Sequence, residues 1–187
     1  MVLLMEENLL IEKAVSGDVS AFEQLISNYQ LKIYNIALQL SGNEPDARDI
    51  SQEVFIKIFK ELKSFRSECS FSGWLWRIVH NTFYDECKKS YRKRMSITDS
   101  LDSVSYFLKD TSNPFEETEK SLLKKQVEIA LSKIPPKYRV TVVMYDIQGF
   151  TYNEIAEIIK CSIGTIKSRL NRGRCLLKEK IKKIGTF

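Results

Sequence analysis

Histidine is almost missing from this chain of 187 residues, which has only His80. One histidine excludes metal sites built on a pair of histidines and the His-Glu-x-x-His chemistry of metalloproteases. The four cysteines include no Cys-x-x-Cys pair, so structural disulfides and zinc sites are not expected. No apolar run approaches the about 20 residues that cross a bilayer. The sequence therefore predicts a protein with no metal ion, no cofactor and no membrane insertion.

The composition is that of an ordinary globular protein, with 43% hydrophobic and 28% charged residues. The segment from Met1 to Met5 is too short for a secretory signal and leads directly into Glu6 and Glu7. We therefore expect the protein to act in the cytoplasm, where its cysteines stay reduced.

The charges divide the chain into three parts. Residues 1–94 carry 13 basic and 13 acidic residues, whereas residues 120–187 carry 15 basic and 5 acidic residues. Residues 95–119 carry one basic and six acidic residues, contain the helix breaker Asn113-Pro114 and show no sustained helical period. This pattern predicts a neutral module, an acidic flexible linker and a basic module, with the two modules moving independently.

Apolar residues recur at intervals of three and four in both modules, which indicates amphipathic helices. The first stripe ends before Gly42, the second helix begins near Pro45, and Ser72 is the predicted cap of the third. The predicted helices cover residues 22–40, 45–62, 73–91, 117–132, 136–148, 152–160 and 163–183. The predicted fold class is all-α, with two small helical bundles joined by the acidic linker.

The sharpest motif is a helix-turn-helix in the basic module. Thr151 and Glu154 form a capping box, Lys160-Cys161 make a tight turn, and Ser162 caps the second helix. The apolar side of that second helix contains Ile163, Ile166, Leu170, Gly173 and Leu177. Its opposite side and flanks carry Thr165, Lys167, Ser168, Arg169 and Arg172. Hydroxyl and cationic groups on such a face suit the major groove of DNA, and the alternative is a solvated basic face of a bundle helix.

A second polar stripe lies on the third helix of the neutral module. Its members, spaced four, three and four residues apart, are Arg77, Asn81, Tyr84 and Lys88. An amide, an aromatic ring and cations on one face suit single-stranded DNA, because unstacked bases can stack while cations hold the backbone. For Trp74 and Trp76 we favour positions in the core. Ile56 lies among polar residues of the second helix, which indicates a protein partner.

Together these motifs resemble the extracytoplasmic-function (ECF) sigma factors of bacterial RNA polymerase, and the resemblance covers nearly the whole chain. Residues 46–55 look like the core-binding helix of region 2. Residues 71–81, preceded by the loop 65–70, look like the segment that captures the melted minus-ten element. Residues 134–139, 152–156 and 162–169 look like region 4, which reads the minus-thirty-five element.

The resemblance implies a role for each candidate residue. The largest-subunit clamp helices of the RNA polymerase core would contact Asp49, Gln52, Glu53 and, as the exposed apolar residue, Ile56. The melted non-template strand at the minus-ten element would contact Arg66, Ser67, Arg77, Asn81, Tyr84 and Lys88. Duplex promoter DNA at the minus-thirty-five element would contact Thr165, Lys167, Ser168 and Arg172, with Arg169 and Arg174 on phosphates. An anti-sigma factor is the further partner that the resemblance implies.

The expected function is that of a transcription initiation factor, with residues 1–94 as region 2, 95–119 as linker and 120–187 as region 4. We expect no catalytic residue and no enzymatic activity. One alternative is a regulator that binds a palindrome as a dimer through its helix-turn-helix, without polymerase. Another is a metal-dependent nuclease, for which Asp46 with Asp49, or Asp85 with Glu86, would be the metal ligands.

Overall fold

The structure, a computed structural model, describes residues 2–66, 68–97 and 119–184. Eight α-helices lie in these ranges, and no strand is found within them, so the all-α prediction is confirmed. The helices are α1 (Val2–Val15), α2 (Val19–Ser41), α3 (Glu44–Glu61), α4 (Phe71–Ile97), α5 (Glu119–Ser132), α6 (Pro136–Val142), α7 (Tyr152–Ile158) and α8 (Ile163–Ile184). Most of the predicted linker, residues 98–118, lies outside the described residues, and residues 95–97 belong to α4.

Short polar side chains and one glycine set the helix ends of the first bundle. Gly42 ends α2 with a φ of 82°, and its amide donates to the carbonyl of Leu38 at 2.8 Å. Asn43 then caps α3 by accepting from the amide of Asp46 at 2.9 Å. The predicted cap of α4 is wrong: Ser70 accepts from the amide of Gly73 at 3.1 Å, and Ser72 lies inside the helix. The earlier start brings Phe71 into the first turn of α4, where it is buried.

The first bundle is formed by α1 to α4 around the apolar stripes that the sequence predicts. Leu25, Ile33, Ile36 and Leu40 of α2 are fully buried. The helix α1 was not predicted, and it packs on α2 with Ile11 and Ala14 in the core. Only these two α1 residues are buried among those whose side chains are described, which is too few to make a clear sequence stripe.

The second bundle contains α5 to α8. Pro136 begins α6, and the chain continues without a break into a π-helical turn, Val143–Ile147, which ends before Gly149 at a φ of 76°. The predicted helix over residues 136–148 is therefore present up to Ile147. Gly173 of α8 brings that helix close to α6, because a Cβ atom on Gly173 would lie 2.7 Å from Cγ2 of Val142 and 3.2 Å from the carbonyl oxygen of Tyr138.

The two bundles share an interface, whereas the sequence analysis expects separately mobile bodies. The last residue of α5, Ser132, packs directly on Gly42 at the end of α2. The guanidinium of Arg139 in α6 donates to the carbonyl of Leu40 in α2. The linker composition carries no information about such contacts, since they depend on side chains far from it in sequence.

We predict that Gly173→Ala lowers the free energy of unfolding by about 1 to 3 kcal/mol, because the added methyl group forces α8 away from α6. Gly164→Ala in the same helix is the matched control, since its Cβ would meet only Oγ of Ser162 at 3.9 Å. That control should be neutral or stabilising by up to about 1 kcal/mol. Denaturant unfolding measures both changes, and equal stability of the two variants would contradict the close packing.

Candidate nucleic-acid interface

The helix-turn-helix is built by two side-chain caps. The amide of Thr151 donates to the Glu154 carboxylate at 2.8 Å, and the amide of Glu154 donates to the Thr151 hydroxyl at 3.3 Å. The backbone hydrogen bond from Thr151 lowers the pKa of Glu154 below its ordinary value. After α7, Lys160 takes the left-handed backbone with a φ of 52°, and Ser162 caps α8 by accepting from the amide of Thr165 at 3.2 Å. The predicted capping box, turn and cap are confirmed.

One face of α8 is buried and fixes the direction of the opposite face. Ile166, Leu170 and Gly173 are buried against the second bundle. Ile163 was predicted on this face but is 43% exposed, because it lies in the first turn beyond the packed part of the helix. The candidate base-reading residues Lys167, Ser168 and Arg172 are exposed, and Thr165 is half-buried beside Ser162.

Two candidate phosphate contacts of α8 have partners inside the protein. Arg169 is half-buried, with Nη1 3.8 Å from Sγ of Cys161. Arg174 binds both carboxylate oxygens of Asp146, with Nε at 3.0 Å from Oδ2, and lies 5.3 Å from the ring centroid of Tyr145. To contact a phosphate, Arg174 would have to leave the carboxylate of Asp146.

The minus-ten candidates lie on α4 and on the loop before it. Arg66, Asn81 and Lys88 are exposed, and Arg77 and Tyr84 are half-buried. Ser67, also a candidate, lies outside the described residues. Oδ1 of Asn81 is 3.1 Å from Nδ1 of His80, and burial raises the pKa of Tyr84 above its ordinary value. The stripe therefore offers an accessible amide beside a ring that is partly covered.

The two tryptophans of α4 are wholly or partly buried. Trp76 is 0% exposed, which confirms the prediction of a core role. Trp74 is half-buried and packs on Phe65 and Phe71, with ring centroids 5.3 and 5.5 Å away.

The structure brings the minus-ten and minus-thirty-five candidates into one neighbourhood. Burial lowers the pKa of His80 in α4, and the positive charge of Arg169 in α8 lowers it further. The same charge acts on Tyr84, where it opposes the effect of burial on the pKa. Arg169 therefore lies close enough to His80 and Tyr84 of α4 for its charge to act on both.

A third surface lies along α2 and α3. Asp49, Gln52 and Ile56 are exposed, with Ile56 at 41%, and Glu53 is partly covered with Lys57 at 3.9 Å. The neighbouring groove, which was not predicted, has a volume of about 450 Å³ and is lined in part by Leu31, Tyr34, Gln52 and Phe55. Leu31 is 70% exposed. The sequence contains a signal for this groove, because Leu31 lies off the apolar stripe of α2 just as Ile56 lies off that of α3.

Residues 2–66, 68–97 and 119–184 contain neither a cluster of metal ligands nor a membrane-spanning helix. No cluster of three or more His, Cys, Asp or Glu side chains with the geometry to hold a metal ion occurs in these ranges. None of their helices has the length and apolar character needed to span a membrane.

Comparison with known proteins identifies the family of this chain. Residues 25–93 match Sigma-70 region 2, and residues 124–177 match Sigma-70, region 4. ECF RNA polymerase sigma factor SigW of Bacillus subtilis (strain 168) is 30% identical over 177 residues, which cover 92% of this chain and 95% of SigW. The chain belongs to the ECF sigma factors.

Two further relatives match this sigma factor over most of its length. ECF RNA polymerase sigma factor SigE of Mycolicibacterium smegmatis is 34% identical over 172 residues, or 90% of this chain, and the match spans 65% of SigE. The solved structure of sigma factor RpoE from Bartonella quintana, in complex with the anti-sigma factor NepR, has a TM-score of 0.67 at 25% identity. That match covers 86% of this chain and 96% of RpoE.

We predict that the single histidine titrates below its ordinary pKa of 6.5 and that Arg169→Ala raises its pKa, because that change removes a nearby positive charge. Arg172→Ala, which removes an exposed guanidinium from the same helix, should leave it unchanged. NMR titration of the His80 ring protons in tag-free protein measures all three values. An ordinary pKa that does not respond to Arg169→Ala would contradict the placement of Arg169 near His80.

Proposed function

We propose that this sigma factor binds RNA polymerase core, directs it to promoters and aids melting at the minus-ten element. Residues 1–94 act as the region 2 domain, residues 95–119 as the linker and residues 120–187 as the region 4 domain. The observation that carries the proposal is the helix α8, whose buried seam leaves Lys167, Ser168 and Arg172 exposed away from the bundle. The family assignment supports it independently.

At the minus-thirty-five element, α8 enters the major groove of duplex DNA. Arg172 and Lys167 donate to base edges, since guanidinium and ammonium groups pair with the acceptors of guanine. Ser168 and Thr165 supply hydroxyl groups, and Arg169 and Arg174 contact phosphates. Phosphate contacts set the register of the helix, whereas base contacts set the sequence preference.

At the minus-ten element, region 2 captures a base from the melted non-template strand. Asn81 is the exposed amide for its edge, and the loop with Arg66 and Ser67 closes over it. Arg77, Tyr84 and Lys88 hold the adjacent strand by charge and stacking. Binding the unpaired base lowers the free energy of the open complex, so this step needs no covalent chemistry.

The polymerase-binding surface is the exposed part of α3 with the groove beside it. Asp49, Gln52 and Glu53 supply polar contacts, while Ile56 and Leu31 supply exposed apolar area. A small apolar centre with a polar rim is typical of a protein interface. The clamp helices of the largest subunit fill this groove.

The remaining partners follow from the relatives. RpoE of Bartonella quintana is held by an anti-sigma factor, and we propose that an anti-sigma factor also holds this chain. The chain acts in the cytoplasm, together with RNA polymerase. Since relatives are named as sigma factors, which are initiation factors, we propose that it acts by binding alone and catalyses no reaction.

Transcription in vitro with purified core polymerase tests the function. Genomic fragments should give discrete 5′ ends only when the sigma factor is added. Arg172→Ala should weaken binding to those promoters by about 1 to 3 kcal/mol and relax the sequence preference at one base pair. The matched control, Lys178→Ala, removes another exposed cation of α8 and should mainly reduce the salt dependence.

Three results would count against these assignments. No promoter-dependent start on any fragment rejects the proposed function. If Arg172→Ala lowers initiation equally on all promoter sequences, Arg172 is not a base contact. Binding to a palindromic duplex as a dimer, without polymerase, favours the alternative of a free-standing regulator.

We predict that Ile56→Ala weakens binding to core polymerase by about 1 to 2 kcal/mol, because a side chain at the centre of an interface loses its buried area. Leu9→Ala removes another exposed aliphatic side chain, from α1, and should have no effect. Fluorescence anisotropy of labelled protein titrated with core measures both affinities. If the two variants bind alike, Ile56 lies outside the interface.

A further inference from the structure

The loop that is proposed to close over the captured minus-ten base is held at both ends by aromatic rings. Phe65 directly precedes the loop, and Phe71 directly follows it. Both side chains are buried, and their ring centroids are 5.5 Å apart in an edge-to-face contact. Trp74, in the first turn of α4, packs on both rings at 5.3 and 5.5 Å between centroids. These three rings, which we call the loop clamp, bring the two ends of the loop together.

Tyr29 of α2 connects the loop clamp to α1. Its ring meets the ring of Phe71 edge to face, with 5.2 Å between centroids. Its hydroxyl donates to the carboxylate of Glu7 in α1. Burial, followed by this hydrogen bond, raises the pKa of Tyr29 above its ordinary value, so the hydroxyl stays protonated and remains the donor. Hydrogen bonds to a charged acceptor are stronger than those between neutral groups.

The helix α1 carries none of the candidate binding residues. It lies outside residues 25–93, which match region 2. Besides its packing on α2, α1 contacts the turn Leu62–Ser64, and that turn leads directly into Phe65. The helix α1 therefore reaches the minus-ten loop on both sides, through this turn before the loop and through Tyr29 and Phe71 after it.

We propose that Glu7 and Tyr29 are positioning residues for capture of the minus-ten base. Their hydrogen bond holds the loop clamp in place, and the loop clamp holds the loop ready to close over the unpaired base. This inference rests on the proposed function, because it gives α1 a part in the capture step. Ordering a flexible loop on binding costs conformational entropy, so a loop whose ends are already fixed binds its base more tightly.

Other contacts of region 2 with the strand do not depend on the loop. Arg77 and Lys88 of the minus-ten stripe lie on α4 itself and hold the strand by charge. Such contacts depend on the phosphates and not on the base. Loss of the hydrogen bond between Glu7 and Tyr29 should therefore weaken base capture without weakening the binding of the strand as a whole. This difference separates a positioning role from a general effect on stability.

Four variants isolate the hydrogen bond. Tyr29→Phe removes the donor and keeps the ring that packs on Phe71. Glu7→Ala removes the acceptor, and Glu6→Ala is its matched control, because it removes the same charge from an exposed position of the same helix. Glu7→Gln keeps a side-chain oxygen that can accept from Tyr29, so it should restore part of the capture.

The test measures binding of a labelled non-template single strand to the holoenzyme, formed from core polymerase and the full chain. The strand is taken from a promoter mapped by the transcription assay, and fluorescence anisotropy measures its Kd. Abasic substitutions scanned along the strand with the wild type locate the captured base, as the position whose removal weakens binding most. The ratio of the Kd values for the abasic and intact strands then measures base capture.

The wild type and Glu6→Ala should give the same ratio. Tyr29→Phe and Glu7→Ala should lower it by about two- to thirtyfold, the range for residues that affect a ligand without touching it. The double variant should lose no more than the more affected single variant, since both changes remove one hydrogen bond. The Kd for the abasic strand should be the same for all of these proteins.

The other outcomes separate this inference from the proposed function. Equal ratios for the wild type, Tyr29→Phe and Glu7→Ala reject the inference. Equal losses on intact and abasic strands, or losses that add in the double variant, reject positioning by this pair. If no abasic substitution weakens binding of the wild type, the proposed capture step is itself wrong, and the inference fails with it. Should Glu7→Ala fail to melt cooperatively, Tyr29→Phe decides, because it keeps its ring in the bundle.

Discussion

The buried guanidinium of Arg139 is the interaction on which the arrangement of this molecule depends. A charge removed from water must be surrounded by hydrogen-bond acceptors, and here three helix-end carbonyls provide them. One carbonyl belongs to Ser132 at the end of α5, one to Ile134 in the turn that follows, and one to Leu40 of α2. The same side chain therefore shapes the second bundle from within and connects it to the first. Loss of the Leu40 contact leaves Arg139 with partners, so separation of the bundles need not unfold either one.

The local structure was largely readable from the sequence, because its signals are local. The capping box of Thr151 and Glu154, the cap at Ser162 and the glycine end of α2 each involve residues no more than four positions apart. The exposed row on α8 follows from helical spacing once Ile166 and Leu170 are recognised as buried. Where the prediction failed, tertiary packing decided. Ser70 displaced Ser72 as the cap because Phe71 gains a buried place, and Ile163 is exposed because the bundle does not extend to it.

The interface between the bundles was not predictable in the same way. Leu40 and Arg139 are 99 residues apart, and nothing in the spacing of either residue indicates the other. An acidic segment between two modules predicts a spacer whether the modules contact each other or stay apart. Trp76 illustrates the ambiguity: an aromatic residue beside a DNA-binding stripe has the same sequence context whether it stacks on bases or fills a core. In this structure Trp76 is completely buried and packs on Phe150, so it is closed to bases, since a stacking platform must be open on one face.

Trp76 and Phe83 of α4 contact Phe150 and Arg139 of the second bundle, and these contacts have an energetic consequence. Any process that separates the bundles must supply the free energy of uncovering Trp76 and Phe83, and duplex DNA at α8 makes no contact that replaces them. A partner that binds both bundles can meet this cost, because its contacts to one bundle raise the effective concentration of its contacts to the other. A partner bound only along α3, or only along α8, does not meet this condition. Separating the bundles therefore requires contacts to both of them at once.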